Sequence, residues 1–565
     1  MSRETKLRLV VLTVSPLTVA NQIFIERLRT DDDIELSGIV VDSYRMSKWK
    51  RASFLMRHWK APLFLGSIMY KFIEVAIAKC SQIALSLFNR ISGLNAEKKD
   101  FEYFQNKNIP IIHVENVNSE TSAKKIAELK PDLCAILGGR IIKPHILVIP
   151  KNGTINIHRH NAQKYRGGAQ VGYIERLTNE FCQGVTIHYA TPELDAGDII
   201  LYDEFPIECC DTDKSIEIKA EYFGLNLYYK AIKAIAKGQS KRLPQDPGSG
   251  TTYITTPYLT RYLFWRKYKK RLYRSLIPKD ESFAKYVVRQ FARNIRFSLL
   301  VLLLPIIARK RRLLESAGKA PIIIFYYHGI GNSCENWRTL PLEFFHAQIE
   351  YLNKYFKIIS LDDAVQRLRS GNNNQTAAVL TFDDGYESIY LNLFPYLKFY
   401  GIPATVFACA QASLHERHLM DFQINGGGNV RIMDAGQLRD LCDNGIEIGS
   451  HGNFHENMMA LSGEKLKHAI HNSAATLMKI LDRKIKYFSF PFGTKKHISS
   501  ESMILAKKTY DAVFSAYGGY NLPMHEPTFH FQRFSNPVSI RDLICIMHGF
   551  HRLSIYKSDR PNELS

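Results

Sequence analysis

Leu380-Thr381-Phe382-Asp383-Asp384-Gly385 is an apolar strand that runs out into two adjacent carboxylates and a glycine, and the rest of the chain is read outward from it. Neighbouring acids repel each other and are costly to desolvate unless something uses them. At a strand end, successive side chains point to opposite faces, so one Asp can hold a metal while the other accepts a proton. A turn would explain the same six residues, because Asp-Gly is a common hairpin signal. Downstream histidines decide between the two. His451-Gly452-Asn453-Phe454-His455 follows a second strand pattern at Ile446, and histidines four apart on one helical turn project toward one point. With one Asp they make a two-His, one-carboxylate site that leaves room for water, as a hydrolytic metal requires.

Strand and helix signals alternate around this stretch from about Ala320 to Phe550. Ile322–Gly329, Leu380–Phe382, Ala404–Ala408, Ile446–Gly449, Tyr487–Phe490 and Ala512–Ser515 read as strands, with helical segments such as Pro341–Tyr355 and Gly463–Leu481 between them. Repeated βα units predict a barrel whose carboxyl-end loops carry the chemistry. In that frame the segment is similar to the polysaccharide deacetylase family, also called carbohydrate esterase family 4, which implies a distorted β/α barrel. The resemblance implies that Asp384, His451 and His455 bind zinc or another divalent ion and that Asp383 is the base. Phe488-Ser489-Phe490-Pro491-Phe492-Gly493 matches the family's third motif, implying an oxyanion held by the Phe492 amide. Ser489 stands where many members carry an arginine that orients the catalytic Asp. Two histidines are candidates for the general acid. One is His328, at the end of the first strand; the other is His548, which a terminal helix over Ile540–Phe550 would carry away from the mouth.

From Leu7 to about Phe205 the alternation is similar. Leu9–Val14, Ile34–Val41, Ile109–Val114, Leu133–Leu137 and Thr154–Ile157 read as strands of a doubly wound parallel sheet. No Gly-x-Gly-x-x-Gly follows the first strand, so dinucleotide binding is not supported. Arg45–Arg90 interrupts the pattern with a segment basic at first and then apolar, either a helical cap on the sheet or a surface that touches membrane. Asn156 and His158 are two apart on a strand and share a face, which at the carboxyl end of a parallel sheet opens on the ligand crevice. With a carboxylate from Leu194-Asp195-Ala196-Gly197-Asp198 they could polarise a carbonyl, hold an oxyanion and move a proton. A core histidine and an ordinary turn are the alternatives for each part alone.

Taken in order, Thr154-Ile155-Asn156-Ile157-His158, Tyr165-Arg166-Gly167-Gly168, Gly184-Val185-Thr186-Ile187-His188 and the Asp195 loop resemble the folate-dependent formyltransferases. That family includes methionyl-tRNA, glycinamide-ribonucleotide and sugar-amine members, and Pro244-Gln245-Asp246 resembles the end of the sugar-modifying ones. The resemblance implies 10-formyltetrahydrofolate as cofactor, contacted by Arg140, Ile142 and the Asp195 loop. It makes Asn156 and His158 the oxyanion stabilisers and Asp195 the group that manages protons. Arg159-His160-Asn161-Ala162-Gln163 departs from the Pro-Ser-Leu-Leu-Pro of many members, which leaves the acceptor amine open.

A chain of 565 residues is too long for one core. Nine scattered cysteines with no Cys-x-x-Cys pair fit a reducing compartment, and the first residues read as a buried strand rather than a signal peptide. The net charge of +21 implies an anionic partner. Residues 261–312 hold 16 Lys/Arg against two acids, so +14 of that charge is concentrated there among interleaved aromatics. The apolar run Phe297–Ile307 is 11 residues, too few to span a bilayer. The segment reads as an interfacial helix on an anionic membrane surface, or as a solvated linker packed on a domain, with nucleic-acid contact the weakest reading. The expected division is a formyltransferase-like domain at 1–205, an appended piece at 206–257, a linker at 258–318 and a deacetylase-like domain at 319–565. Together the resemblances imply an enzyme that deacetylates a sugar nitrogen and formylates a sugar amine. Its substrate would be nucleotide-linked or polyprenyl-phosphate-linked, and its place the cytoplasm, peripheral on the inner face of the membrane. The rival readings are a tRNA-formylating enzyme with an accessory domain and a protein in which one domain is only a binding scaffold.

Overall fold

The structure, a computed structural model, describes residues 6–43, 104, 108–253, 260, 263, 264, 266 and 283–551, except 16, 169, 208–210, 247, 332–338, 415–430 and 524–527. The insertion at 45–90 and the basic stretch 267–282 therefore lie outside the described residues. The described residues form two compact units, one ending at Arg266 and one beginning at Phe283.

In the first unit, β1 (Leu7–Val14), β2 (Ile34–Asp42), β3 (Ile111–Val114), β4 (Leu133–Leu137) and β5 (Thr154–His158) pair in parallel. A short β6 (Tyr165–Gly167) leaves the sheet, which then continues antiparallel through β7 (Cys182–Tyr189) and β8 (Ile199–Pro206) in the order β3-β2-β1-β4-β5-β7-β8. β6 pairs instead with β9 (Thr251–Tyr253). Alternation puts Val10 and Leu12 on one face, packed with Val40, Ile126, Ile136 and Ile146. Leu9 and Val11 are buried on the other, the side of the helices Val19–Arg29 and Asp213–Ala236, whose Phe24 and Tyr228 rings stack at 5.6 Å. The Tyr228 hydroxyl donates to the Ile155 carbonyl at 2.8 Å, fastening the second helix to β5. This is the doubly wound class expected. The antiparallel pair β7 and β8 adds to it; β7 is buried almost throughout, so its sequence lacks the alternation that marks a half-buried strand.

The second unit is one parallel sheet of β10 (Ile322–Tyr327), β11 (Lys357–Ile358), β12 (Ala377–Phe382), β13 (Thr405–Ala408), β14 (Glu447–Ser450), β15 (Tyr487–Ser489), β16 (Ala512–Ser515), β17 (His530–Gln532) and β18 (Phe534–Ser535). β17 pairs with β16 at one end of the strand order and β18 with β10 at the other, yet only Arg533 separates them in sequence. The segment 530–535 thus closes the sheet into a distorted barrel. Phe407, Phe514 and Phe531 pack across the interior, with ring centroids 5.6 and 5.7 Å apart. Since side chains alternate, the interior rows run from Ala377 and Val379 to Thr381, from Tyr487 to Ser489, and from Phe531 to Arg533.

One helical expectation holds and one is corrected. Gly463–Leu481 is helical throughout, with a π turn at His468–Asn472, and the His468 carbonyl accepts the Asn453 side-chain amide at 2.8 Å. The apolar run at Phe297–Ile307 belongs to a far longer helix, Phe283–Ser316, which absorbs Pro305. Its part Phe291–Ser316, 26 residues, is long and apolar enough to cross a membrane by length and composition alone. The run looked short because Pro305 and the basic residues after it read as an end.

Candidate functional site

β12 ends at Phe382, and the chain then turns left-handed at Asp384 and Gly385, with φ of 70° and 74°. That turn separates the two carboxylates. Asp383 continues the interior row toward Arg533, whereas Asp384 Oδ1 lies 3.3 Å from His451 Nε2 and 3.5 Å from His455 Nε2. Ligands arranged tetrahedrally at about 2.1 Å from an ion stand roughly 3.4 Å from one another, so these separations fit a small divalent ion. His451 Nδ1–H donates to the Ser489 carbonyl at 2.8 Å, which aims the Nε2 lone pair at Asp384. Among the described residues this is the one cluster suited to a metal. The expected helical turn at 451–455 is corrected. The segment is a loop in which Gly452 (φ 80°) and His455 (φ 64°) reverse the chain, and Glu456 Oε2 accepts the Asn453 and Phe454 amides at 3.1 and 3.0 Å.

Sequence reasoning missed Arg533. Its guanidinium, 1% exposed, grips both Asp383 oxygens at 2.7 Å and also donates to Ser489 Oγ at 2.6 Å and Thr381 Oγ1 at 3.0 Å. It reaches Asp383 and Ser489 from the seam of the barrel, between β17 and β18. Burial pushes the Asp383 carboxyl up, but the Arg533 charge and hydrogen bonds, with His451, outweigh burial and hold it below the ordinary carboxylate range. The position could be found only by following the interior row Phe531, Arg533 to the same rim as Ser489.

His328, just beyond β10, acts electrostatically on both Asp383 and Asp384 and so stands at the site. His548 does not, and that candidacy is corrected. It caps the helix Ile540–Met547, fully buried beside Tyr351 and Phe356, and burial with the Arg311 charge pushes its pKa down to about 3. A histidine sealed there has no route to hand a proton to substrate. Phe492 lies left-handed (φ 59°) with its ring 4.5 Å from that of His455. Of the eight non-glycine residues with positive φ among those described, Asp195, Asp384, His455 and Phe492 all belong to the candidate sites. Strain of this kind collects where function demands a geometry.

In the first unit, Asn156 faces His188 directly across the β5–β7 pairing, its Nδ2 3.4 Å from His188 Nε2. His188 donates Nδ1–H to the Tyr189 carbonyl at 2.9 Å. Asp195 joins both histidines: Oδ1 lies 3.5 Å from His188 Nε2 and Oδ2 3.4 Å from His158 Nδ1, while Oδ2 accepts the Gly167 amide at 2.9 Å. His158 Nε2–H goes to the Tyr165 carbonyl at 2.7 Å, so its Nδ1 lone pair is turned toward Asp195. Burial, helped by His160 and His188 against the pull of Asp195, lowers the His158 pKa to about 4. Burial pushes Asp195 up, but the adjoining His188 and His158 rings and the Gly167 amide bring it down to about 2. Near neutral pH the pair is a neutral imidazole and a carboxylate, two acceptors with a place for a proton between them. His188 was quoted in the sequence motif without a role; only the antiparallel register of β7 reveals it.

Arg140 commits its guanidinium to Asp42 at 2.6 Å and Asn116 at 2.9 Å, tying the ends of β4 and β2 together. The Ile142 side chain is buried in the core with Val10 and Leu12, and its neighbour Ile141 is the exposed one at 64%. The departing loop at 159–163 is anchored by His160, whose Nδ1 lies 2.6 Å from the buried Glu175 Oε1. Gln245 holds the Asp195 loop, donating to the Gly197 carbonyl at 2.6 Å. Beside that loop is a cavity of about 410 Å³, lined in part by Tyr189, Ala190, Glu193, Gly197 and Arg242, with the Arg242 guanidinium 3.9 Å above the Tyr189 ring. A Cβ on Gly197 would stand 2.0 Å from the Tyr189 carbonyl oxygen. Gly197→Ala is therefore expected to displace the Asp195 loop and speed amide hydrogen exchange across 190–198; unchanged exchange there would mean that the loop accommodates the methyl group.

Comparison with known proteins assigns the two units. The formyl transferase family model matches residues 89–232, and that of polysaccharide deacetylase matches residues 370–511, ending short of Arg533. The chain is 32% identical over 169 residues to the methionyl-tRNA formyltransferase of Fusobacterium nucleatum, covering 29% of this chain and 54% of the relative. It is 33% identical over 172 residues to that of Halalkalibacterium halodurans, covering 30% and 53%. The chain spans about half the length of these curated relatives. Among solved structures, a Streptococcus pyogenes deacetylase in complex with acetate is 16% identical with a TM-score of 0.35, over 41% of this chain and 99% of that one. The N-formyltransferase of Helicobacter canadensis in complex with folinic acid and dTDP-3-aminofucose is 16% identical with a TM-score of 0.28, over 44% and 71%. The chain carries a formyltransferase domain and a polysaccharide deacetylase domain, both of enzymatic families.

Proposed function

We propose that the chain is a bifunctional amino-sugar enzyme of cell-surface polysaccharide biosynthesis. Its second unit would remove an acetyl group from a sugar nitrogen with the help of a divalent metal, and its first would formylate a sugar amine from 10-formyltetrahydrofolate. The observation that carries this reading is that both polar clusters are complete on one chain: Asp384, His451 and His455 beside an Arg-clamped Asp383, and Asn156, His158 and His188 around Asp195.

A divalent ion held by Asp384, His451 and His455, zinc first among candidates, supplies Lewis acidity for amide hydrolysis. Asp383 takes the proton of the attacking water. His328 returns a proton to the departing nitrogen, and the Phe492 amide receives the developing oxyanion. As the C–N bond breaks, acetate leaves and the sugar keeps a free amine. In the other unit, 10-formyltetrahydrofolate supplies the formyl group when bound. The Asn156 amide donates to the oxyanion, and the acceptor pair of His158 Nδ1 and Asp195 Oδ2 takes the proton the amine must lose.

Deacetylation makes an amine and formylation consumes one, so the two steps are proposed to run in sequence on a nucleotide-linked or polyprenyl-phosphate-linked sugar. The cofactor and the scattered cysteines favour the cytoplasm, and the basic segment favours the inner membrane face. Incubating the full chain with zinc, 10-formyltetrahydrofolate and candidate N-acetyl sugar nucleotides is expected to release acetate and then give an N-formyl sugar. A chelator should stop acetate release while sparing formylation of a free amino sugar. Acetate release with no N-formyl product from any candidate would break the coupling. The likeness to methionyl-tRNA formyltransferases supports a second reading, which salt-sensitive binding and formylation of a charged tRNA would establish in its place.

A further inference from the structure

The helix Phe283–Ser316 is apolar on two opposite sides. Leu300, Leu304, Ile307 and Ala308, spaced as one helical face, are each 1% exposed or less, and the helix packs on Ile540–Met547. Arg296 pairs with Asp542 at the same contact. The opposite side should be polar if it faced only water. Instead Phe291, Ile295, Leu302, Ile306 and Leu313 are 65%, 46%, 76%, 59% and 63% exposed, and at 3.6 residues per turn they fall in one continuous stripe. Arg309 lies within the stripe between Ile306 and Leu313, and Arg312 flanks it, both exposed. A row of large apolar side chains edged by cations is complementary to an anionic lipid surface, where rings and branched chains enter the acyl boundary and guanidinium groups stay with the phosphates.

We propose that this stripe seats the protein in an anionic leaflet, with the helix lying in the membrane plane. A helix crossing the bilayer would have to bring its packed face into lipid, including Arg311, which is 2% exposed among its neighbours. The in-plane arrangement leaves that packing intact. The inference deepens the inner-membrane part of the function proposed above and identifies the device that holds the enzyme where a lipid-linked sugar is found.

Flotation of the full chain with vesicles tests it, comparing phosphatidylcholine alone with phosphatidylcholine containing about one third phosphatidylglycerol. The wild-type chain is expected to float with the anionic vesicles only. Leu302→Ser with Ile306→Ser should weaken partitioning by at least about tenfold, since two large side chains leave the acyl boundary. Arg309→Ser with Arg312→Ser should erase the preference for anionic lipid. Both pairs are exposed, so an unchanged melting temperature shows that the fold is kept. Wild-type protein that stays at the bottom of the gradient, or an apolar variant that floats like wild type, overturns the inference. So does a dimer that the apolar variant converts to monomer while neither binds vesicles, because the stripe would then serve a second copy. Acetate release assayed on the same samples keeps a failure of the catalytic reading distinct from a failure of docking.

Discussion

Arg533→Gln is expected to reduce deacetylation by about 10²- to 10⁴-fold, the scale of a general base lost or misdirected, while formyl transfer persists. Three consequences combine in this one change. The fork that holds both Asp383 oxygens at 2.7 Å disappears, so the base is no longer oriented. The Ser489 and Thr381 hydroxyls lose their shared donor at the rim of the barrel. Asp383, 4% exposed, is left as a buried charge without its counter-ion, at a cost of about 3–5 kcal/mol. The pH dependence separates orientation from collapse. In the native chain the lowered Asp383 pKa makes its contribution to stability complete above the ordinary value near 3.8 and lost as pH falls through the lower folded value. Without Arg533, burial raises the carboxyl instead, so the acid limb of deacetylation moves to higher pH, and stability now declines as pH rises through the raised value. Arg533→Lys keeps the charge but not the two-pronged geometry and should recover stability more than rate. A pH–rate profile whose acid limb is unmoved in Arg533→Gln would remove Arg533 from the mechanism.

What the sequence disclosed and what it hid follow from the range of each interaction. The strands β1, β2, β4, β10, β12 and β16 come from short apolar runs, and each is legible because its burial is local to the run. The acids of both sites, and all their histidines but His188, are legible because they sit at the ends of strands or in the loops just beyond them. Arg533 is not, because its meaning depends on Asp383, 150 residues away, and on the closure of the sheet between β17 and β18. No local pattern distinguishes it from any arginine in an aromatic stretch. His188 was hidden for a related reason: it gains its place from an antiparallel register, and β7 shows no alternation. The loop at 451–455 misled in the opposite sense. Spacing of four suggested a helical turn, yet two left-handed residues bring the rings together by a different route. Ile141 and Ile142 are chemically alike, and only the packing tells which one faces the core.

Asp195→Asn should abolish most formyl transfer, by about 10²- to 10⁴-fold, and its acid limb should tell why. The carboxylate takes a proton that the neutral Asn side chain cannot, while the amide still fits beside the Gly167 N–H and the two histidines. His158 is held near 4 by burial, with the Asp195 charge opposing that descent. Removing the charge lets the imidazole fall further, so the residual activity should keep its plateau to lower pH than the native enzyme, whose rate drops as His158 gains a proton near 4. The same lowered pKa bears on stability. A histidine buried neutral contributes fully above its ordinary 6.5 and loses that contribution as pH falls toward 4, so acid unfolding of the first unit should begin below 6.5. His158→Gln should remove that part of the acid sensitivity and, lacking the acceptor lone pair at Nδ1, also lose formyl transfer. If Asp195→Asn lowers the plateau with no shift of the acid limb, Asp195 and His158 are not coupled as their 3.4 Å separation indicates, and the carboxylate only holds the loop in place.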